Sequence, residues 1–235
     1  MEKTVLVTGA NKGIGFGIAK HLGFSGWSVI IGARHQEKAE KAIEELKALG
    51  IDVKGWVNIE LADSDTIEKA ANEISMKYPD LFLLVNNAGI PGDMSVDGEH
   101  TKLEDIRKTI DINFIGTFLL TQSLMPLLEK NGGRIVNITV PSEISPYWHP
   151  LAYVTSKAAQ NAMMGVMAME FQQQGRSLEI FSVHPGPTTT DLNGNMRLPG
   201  FHDIDTVGEM FAALINDGKC HQGEFLELYP IVKED

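Results

Sequence analysis

The sequence predicts an α/β fold: a doubly wound, mainly seven-stranded parallel sheet flanked by helices. Strand-like apolar runs alternate with amphipathic helical stretches along all 235 residues. Several of the strands are unbroken β-branched or leucine runs, which is typical of parallel strands covered on both faces. No linker, repeat or low-complexity stretch divides the chain. We therefore expect one domain over residues 1–235, with a substrate loop near residues 191–205.

Each element has its own signal in the sequence. The apolar runs predict strands near Thr4–Thr8, Ser28–Gly32, Asp52–Asn58, Leu81–Asn86, Arg134–Ile138, Glu179–His184 and Glu224–Leu228. Helical periodicity predicts helices near Ile14–Ser25, Gln36–Leu49, Ser64–Tyr78, Leu103–Lys130, Ala152–Gln174 and Thr206–Ile215. Gly50 suits the end of the second helix, and Asp63 or Ser64 suits the start of the third. The alternation implies right-handed crossovers between parallel strands.

Composition excludes several classes of function. The formal net charge of −11 argues against general affinity for nucleic acid or anionic membranes. No apolar run reaches the roughly 18 residues of a membrane span, and the start of the chain has no signal-peptide pattern. The single cysteine, Cys220, cannot form an internal disulfide. We expect a cytoplasmic protein without nucleic-acid or membrane partners. The seven histidines show no metal-ligand spacing, so no metal is expected.

A glycine-rich segment follows the first strand and opens the first helix. It reads Thr8-Gly9-Ala10-Asn11-Lys12-Gly13-Ile14-Gly15. Glycines let the backbone approach a pyrophosphate closely, and the N–H groups at a helix N-terminus attract anions. At the first strand–helix turn of an α/β pattern, this segment predicts a Rossmann-type dinucleotide site.

Two further motifs lie at the ends of later elements. Tyr153 and Lys157 are four residues apart at the start of a helix, so both side chains lie on one face. An ammonium group beside a phenol lowers the phenol pKa and makes it usable in acid–base chemistry. The amides and small residues of Asn86-Asn87-Ala88-Gly89 follow an apolar strand. They suit either ligand contact at the sheet edge or a capped turn.

Taken in order, these motifs closely resemble the short-chain dehydrogenase/reductase family over essentially the whole chain. The set comprises T-G-x-x-x-G-x-G, N-N-A-G, a helical Asn, Y-x-x-x-K and P-G. The glycine-rich segment and Pro185-Gly186-Pro187-Thr188-Thr189-Thr190-Asp191 look most like the carbonyl-reductase branch.

The resemblance implies roles for individual residues. Tyr153 would exchange the proton with the substrate oxygen. Lys157 would hold the nicotinamide ribose and lower the Tyr153 pKa. Asn113 would steady a water in the proton relay. The implied cofactor contacts are Gly9, Asn11, Lys12, Gly13, Ile14, Gly15, Glu60, Leu61, Asn87, Ala88, Gly89, Tyr153, Lys157, Pro185, Gly186, Thr188 and Thr190. Glu60 is a mild departure, because the family usually has Asp there.

The end of the second strand indicates which cofactor is used. An NAD site usually places an acidic residue there to bind the ribose hydroxyls. This chain instead has Arg34, a planar cation suited to phosphate. Lys12 could supply a second positive charge. NADP(H) is therefore expected, unless Arg34 is only a solvated loop cation.

One position departs seriously from the family. The catalytic Ser is expected about thirteen residues before the Tyr, where this chain has Val140. Ser142 could bring its hydroxyl back into the site, and we prefer this alternative. Thr139 could do so through a shifted backbone. In the third alternative the hydroxyl is missing, and the enzyme is slow or serves another purpose.

The sequence thus predicts an NADP(H)-dependent oxidoreductase acting on a small-molecule carbonyl or alcohol. The rival is an NADP(H)-binding sensor or scaffold with weak or no catalysis, which Val140 motivates. An NADP-dependent isomerase or epimerase is a third hypothesis. Apolar helix faces around Phe114, Phe118 and Leu119, and around Met163 and Met167, predict a homodimer or homotetramer. Trp148 and His149 precede Tyr153 and either line the pocket or pack in a turn.

Overall fold

The computed structural model describes residues 3–146 and 148–229. Their seven strands form one wholly parallel sheet in the order β3-β2-β1-β4-β5-β6-β7. The strands are β1 (Thr4–Thr8), β2 (Ser28–Ala33), β3 (Val53–Asn58), β4 (Leu81–Asn86), β5 (Arg134–Ile138), β6 (Glu179–His184) and β7 (Phe225–Glu227). The order reverses between β1 and β4. The predicted doubly wound parallel fold is confirmed.

The helices lie close to their predicted positions. Within the described residues they are α1 (Gly13–Phe24), α2 (Gln36–Ala48), α3 (Ser64–Lys77), α4 (Leu103–Ile110), α5 (Thr117–Lys130), α6 (Leu151–Gln174) and α7 (Ile204–Ile215). Short 3-10 turns lie at Gly98–His100 and Asp191–Asn193. The predicted helix over Leu103–Lys130 is confirmed as a continuous helical stretch, in which α4 and α5 are joined by a π-helical turn at Asp111–Gly116.

The sheet has an apolar layer on each face. In β1 the side chains of Val5 and Val7 point into the layer that contains residues of α1 and α7. Leu6, between them, points into the layer built with α3, α5 and α6. This alternation follows from the two-residue period of a strand. Burying each such side chain stabilises the fold by about 1.5–3 kcal/mol.

Two glycines bring α1 and α7 into close contact. A Cβ on Gly17 would lie 2.1 Å from the carbonyl oxygen of Ile204, and a Cβ on Gly208 would lie 2.3 Å from the carbonyl oxygen of Gly17. Lys20 also forms a 2.7 Å ion pair with Asp205. The chain segment that leads into α7 is therefore fixed beside α1, the helix that the glycine-rich segment opens.

The carboxyl ends of β1, β4, β5 and β6 meet at one edge of the sheet, where α/β proteins of this kind bind ligands. In the part of the chain that the structure describes, no helix combines the length and apolarity that a membrane span requires.

Candidate active site

The glycine-rich turn has the geometry of an anion site. Gly9 and Gly13 adopt the left-handed conformation, with φ of +69° and +59°, which only glycine enters readily. A Cβ on Gly15 would lie 2.5 Å from Nδ2 of Asn87. No side chain caps the N-terminus of α1 at Lys12, so the first N–H groups of the helix are open to a ligand. Asn11 and Ile14 lie half-buried in the same turn.

The segment after β4 holds this turn in place. The backbone N–H groups of Asn87 and Ala88 donate to Oγ1 of Thr8, at 2.9 and 3.0 Å, and the Asn87 amide donates to the Thr8 carbonyl at 2.8 Å. A Cβ on Gly89 would lie 3.0 Å from Oδ1 of Asn113. The resemblance implied ribose contacts for Asn87, Ala88 and Gly89. Those contacts stay predictions. In this structure the Asn87 amide bonds the Thr8 carbonyl at the base of the turn, because β1 and β4 are neighbours.

The two cations predicted to bind a phosphate are exposed, and each faces a carboxylate. Lys12 Nζ lies 2.7 Å from Asp191. A guanidinium nitrogen of Arg34 lies 3.6 Å from Glu60. Such exposed ion pairs contribute little to stability, so both cations can exchange a carboxylate partner for a phosphate.

Leu61, next to Glu60, is buried against the π-helical turn. A Cβ on Gly116 would lie 2.0 Å from the Leu61 carbonyl oxygen. Gly116 therefore permits the close approach of this turn to the loop after β3. Leu61 is thus placed beside the predicted adenine end of the site.

The segment after β6 closes over the glycine-rich turn. Gly186 has a φ of +78° and packs against the Tyr229 ring, and Pro185 precedes it. The Thr188 hydroxyl donates to the Gly186 carbonyl at 3.1 Å. Thr190 caps the Asp191–Asn193 turn, and its methyl carbon lies 3.9 Å from where a Cβ of Gly13 would be. Predicted cofactor residues from both ends of the chain are brought together here.

Tyr153 and Lys157 lie on the buried face of α6. Tyr153 is 8% exposed and Lys157 is 2% exposed. Lys157 Nζ donates to the Ile138 carbonyl at 2.8 Å and to Oε1 of Gln160 at 3.1 Å. It lies 5.7 Å from the centre of the Tyr153 ring. The Trp148 ring packs edge-on against Tyr153, with 5.0 Å between ring centres, so Trp148 covers the phenol.

Burial dominates the titration of both groups. It raises the pKa of Tyr153 to about 12 and lowers the pKa of Lys157 to about 7, because both charged forms lose hydration. The expectation that Lys157 lowers the Tyr153 pKa is therefore not met in this structure. Lys157 Nζ donates to Ile138 and Gln160, and burial of the phenol is the cause of the Tyr153 shift.

Asn113 lies within the π-helical turn and is fully buried. Its Oδ1 accepts from the Ile90 N–H at 2.8 Å. Its Nδ2 donates to the Ile90 carbonyl at 2.9 Å and to the Ser156 hydroxyl at 3.0 Å. The side chain therefore holds the loop after β4 against α6. The water-steadying role that the resemblance implied for Asn113 stays a prediction.

Gln160 is a site residue that the sequence did not reveal. It is fully buried, accepts a bond from Lys157, and donates from Nε2 to the Asn113 backbone carbonyl. Its spacing of three residues from Lys157 was the available signal. That spacing alone does not distinguish a ligand-site residue from a buried core glutamine.

The region around Val140 offers two hydroxyl groups with different surroundings. The Thr139 hydroxyl is buried and has no hydrogen-bond partner among the described residues. Ser142 is exposed, and no hydrogen bond to another described residue engages it. The Val140 carbonyl accepts a 2.9 Å bond from the Asn161 amide, which ties this loop to α6.

Two other predictions are clarified by the structure. Met163 and Met167 pack in the core of the chain itself, so the predicted pairing face on α6 is wrong at these residues; Val166 and Met169 are exposed on that helix. Asp97, Glu99 and His100 place three potential metal-ligand atoms within 4.8 Å of one another. All three are exposed, and Asp97 caps the short turn there.

The residues present fit a dinucleotide. The uncapped N-terminus of α1 and the left-handed glycines suit a pyrophosphate. Lys12 and Arg34 suit an additional phosphate. Tyr153 and Lys157 lie at the other end of the same sheet edge, after β5. This arrangement can bind a cofactor at one end and handle a proton at the other.

Comparison with known proteins shows similarity to short-chain dehydrogenases. A family model described as short chain dehydrogenase matches residues 3–199. Estradiol 17-beta-dehydrogenase 2 of Mus musculus is 31% identical over 199 residues, which are 84% of this chain and 51% of that protein. The chain thus spans about half the length of the curated relatives that it matches first.

Solved structures of other proteins are similar to this one over nearly the full chain. The NADPH-bound carbonyl reductase from chicken fatty liver is 28% identical, with a TM-score of 0.83 over 97% of this chain and 96% of that one. The 3-oxoacyl-[acyl-carrier protein] reductase from Brucella melitensis, in complex with NAD, is 26% identical with a TM-score of 0.84 over the same shares. Structural neighbours therefore include proteins bound to either nicotinamide cofactor.

Proposed function

This chain belongs to the short-chain dehydrogenase family, and from that premise we propose that it is an NADP(H)-dependent oxidoreductase acting on a small carbonyl or alcohol. The proposal depends above all on Tyr153 and Lys157. They lie on one buried face of α6, beside the end of β5 and across the sheet edge from the glycine-rich turn.

The cofactor would be held from three sides. Gly9, Gly13 and Gly15 with the N-terminus of α1 would hold the pyrophosphate. Glu60, Leu61 and the segment Asn87–Gly89 would border the adenosine end. Pro185, Gly186, Thr188 and Thr190 would frame the nicotinamide end, with Lys157 at the ribose. When bound, the nicotinamide supplies or accepts the hydride at the substrate carbon.

Tyr153 would handle the proton at its phenolic oxygen. Burial keeps the pKa of Tyr153 near 12, so the phenol is protonated at neutral pH, which is the form that can donate. During reduction this proton goes to the substrate oxygen, and during oxidation the phenolate takes it back. Trp148 covers the phenol and would exclude water from that exchange.

The preference for NADP(H) is supported by charge. Arg34 follows β2 at the place where an NAD site usually has a carboxylate. Its exposed guanidinium and the exposed ammonium of Lys12 could both reach a ribose phosphate. The opposing carboxylates of Glu60 and Asp191 weaken this attraction without abolishing it.

For the substrate oxygen we propose Ser142 as the hydrogen-bond donor. Its hydroxyl is exposed and uncommitted, whereas the Thr139 hydroxyl is enclosed in the core. One such donor is commonly worth about 2.7–4 kcal/mol of transition-state stabilisation. Without it the enzyme would still bind cofactor but would be slow.

We also infer a homodimer or homotetramer in the cytoplasm. The half-buried face of Phe114, Phe118 and Leu119 lies near the exposed Ile115, and Val166 and Met169 are exposed on α6. Light scattering at micromolar concentration tests this inference: a monomer would contradict it.

The function is tested by titration calorimetry with NADPH and NADH, followed by NADPH consumption with a panel of aldehydes, ketones and quinones. We expect tighter binding of NADPH and turnover of at least one carbonyl. Tight binding with no turnover, even in Val140→Ser, would contradict the proposal and support a sensor, which the comparisons do not favour. Conversion without net cofactor consumption would instead indicate an isomerase or epimerase.

A further inference from the structure

Gln160 extends the reactive face of α6 by one turn. Tyr153, Lys157 and Gln160 are spaced by four and three residues, so their side chains follow one another along the same side of the helix. All three are buried. A long polar side chain with no exposed surface must find partners for both ends of its amide, or the fold is destabilised.

Both ends of the Gln160 amide do find partners, and both partners belong to the site. The oxygen accepts from Lys157 Nζ at 3.1 Å. The nitrogen donates to the backbone carbonyl of Asn113. The amide therefore spans the gap between the α6 lysine and the helix on the other side.

The π-helical turn places the Asn113 carbonyl. In a π turn the backbone bonds run from residue i to i+5, which disturbs the regular ladder of the helix. This turn lies at Asp111–Gly116, and the Asn113 side chain is already bonded to Ile90 and Ser156. Gln160 thus links Lys157 to the backbone carbonyl of Asn113, a residue whose side chain is itself held by Ile90 and Ser156.

We propose that Gln160 is a positioning residue that ties the Lys157 ammonium to the backbone carbonyl of Asn113. The proposal rests on the proposed function, in which Lys157 serves the reaction. In its protonated form Lys157 then has two fixed acceptors, the Ile138 carbonyl and the Gln160 amide, and one N–H left to meet a ligand. The amide keeps its protons on nitrogen, so this bridge orients Lys157 and does not conduct protons as a water chain does.

Two substitutions separate this role from ordinary packing. Gln160→Leu fills the space but removes both hydrogen bonds. Gln160→Ala leaves a gap lined by the Lys157 ammonium and the Asn113 carbonyl, which is polar enough to admit a bridging water. Positioning therefore predicts that the Ala variant is faster than the Leu variant. A packing role predicts the opposite, because a cavity is costlier than a filled core.

The kinetic experiment measures kcat with NADPH for both variants, with the exposed Gln172→Leu on the same helix as control. We expect Gln160→Leu to lose roughly 10- to 100-fold, as for a bond to a charged group. Gln160→Ala should retain several-fold more activity than Leu, and the control should match the wild type. Equal losses in Leu and Ala, or a slower Ala variant, would overturn the proposal.

A second readout does not depend on turnover. The Gln160 side-chain NH₂ signals in a ¹H–¹⁵N correlation spectrum are assigned by their loss in Gln160→Leu. Lys157→Met should shift them, while the Gln172 NH₂ signals stay in place as evidence of an intact fold. Unmoved Gln160 signals would overturn the bridge. If the wild type turns over no carbonyl, the proposed function fails, and this spectrum still decides whether the bridge exists.

Discussion

The two ends of the candidate site are built differently. The end with Tyr153, Lys157 and Asn113 is buried, and the side chains of Lys157 and Asn113 are hydrogen-bonded to protein groups. The end with Lys12 and Arg34 is exposed, and its cations are held only by surface ion pairs. The first end is fixed in place before any ligand arrives, whereas the second can rearrange around one.

Because of this difference, we expect the buried end to determine the reaction rate and the exposed end to determine cofactor affinity. A preorganised, water-poor cluster can support proton transfer, and small changes there should affect rate strongly. Exposed cations act through screened electrostatics, and their removal should affect cofactor affinity modestly. The predictions below test whether the two ends are as separate as their burial suggests.

The largest effect on stability is expected at Lys157. Burial lowers its pKa to about 7, while an unfolded lysine titrates near 10.4. Between pH 7 and 10 the unfolded state therefore binds more protons than the folded state, and this group makes stability rise with pH. The rise should approach that of one proton, on the order of 1 kcal/mol per pH unit.

Chemical denaturation of the wild type and Lys157→Met at pH 6, 7, 8 and 9 measures this contribution. Above pH 7 the free energy of unfolding of the wild type should rise with pH relative to that of the variant. Below pH 7 the difference between the two should stay constant. A constant difference across the whole range would show that the lysine is not desolvated as described.

The next effect concerns the missing serine. If Ser142 donates to the substrate oxygen, Ser142→Ala should lower kcat about 100-fold. Adding Val140→Ser in that background should restore much of the loss, whereas Val140→Ala, which has no hydroxyl, should not. If Ser142→Ala turns over at the wild-type rate, Ser142 has no such role, and Thr139→Val becomes the variant to compare.

The smallest effect is expected at the exposed end. Arg34→Ala should weaken NADPH binding about tenfold, as for loss of one charge-assisted phosphate contact, and leave NADH binding unchanged. The NADPH effect should shrink in high salt. Lys41→Ala, which removes one exposed charge from α2, is the matched control. If Arg34→Ala weakened the binding of NADPH and NADH equally, Arg34 would not contact the phosphate that distinguishes them.

The fold could be predicted because it depends on local patterns. The strand runs and the glycine-rich turn identify a parallel sheet and its ligand edge, and the structure departs from the predicted ends mostly by one or two residues. The π-helical turn at Asp111–Gly116 could not be predicted, because its apolar periodicity resembles that of a continuous helix. It forms where Gly116 meets Leu61, a contact between distant parts of the chain.

The site was predictable to a lesser degree. The four-residue spacing predicted that Tyr153 and Lys157 share one helix face, and both are buried on α6. The direction of the Tyr153 pKa shift depends on burial, which spacing does not report. Gln160 was missed for the same reason. Its partners are a side chain three residues away and a backbone carbonyl 47 residues away, and the second contact exists only in the folded chain.

The most direct test compares Tyr153→Phe with Arg34→Ala, measuring the NADPH dissociation constant and kcat of each in one buffer. Tyr153→Phe should lower kcat about 100- to 10,000-fold and change the dissociation constant little, because the ring is kept and only the proton-carrying hydroxyl is lost. Arg34→Ala should raise the dissociation constant and leave kcat at saturating NADPH near the wild-type value. Undiminished turnover by Tyr153→Phe would contradict the account.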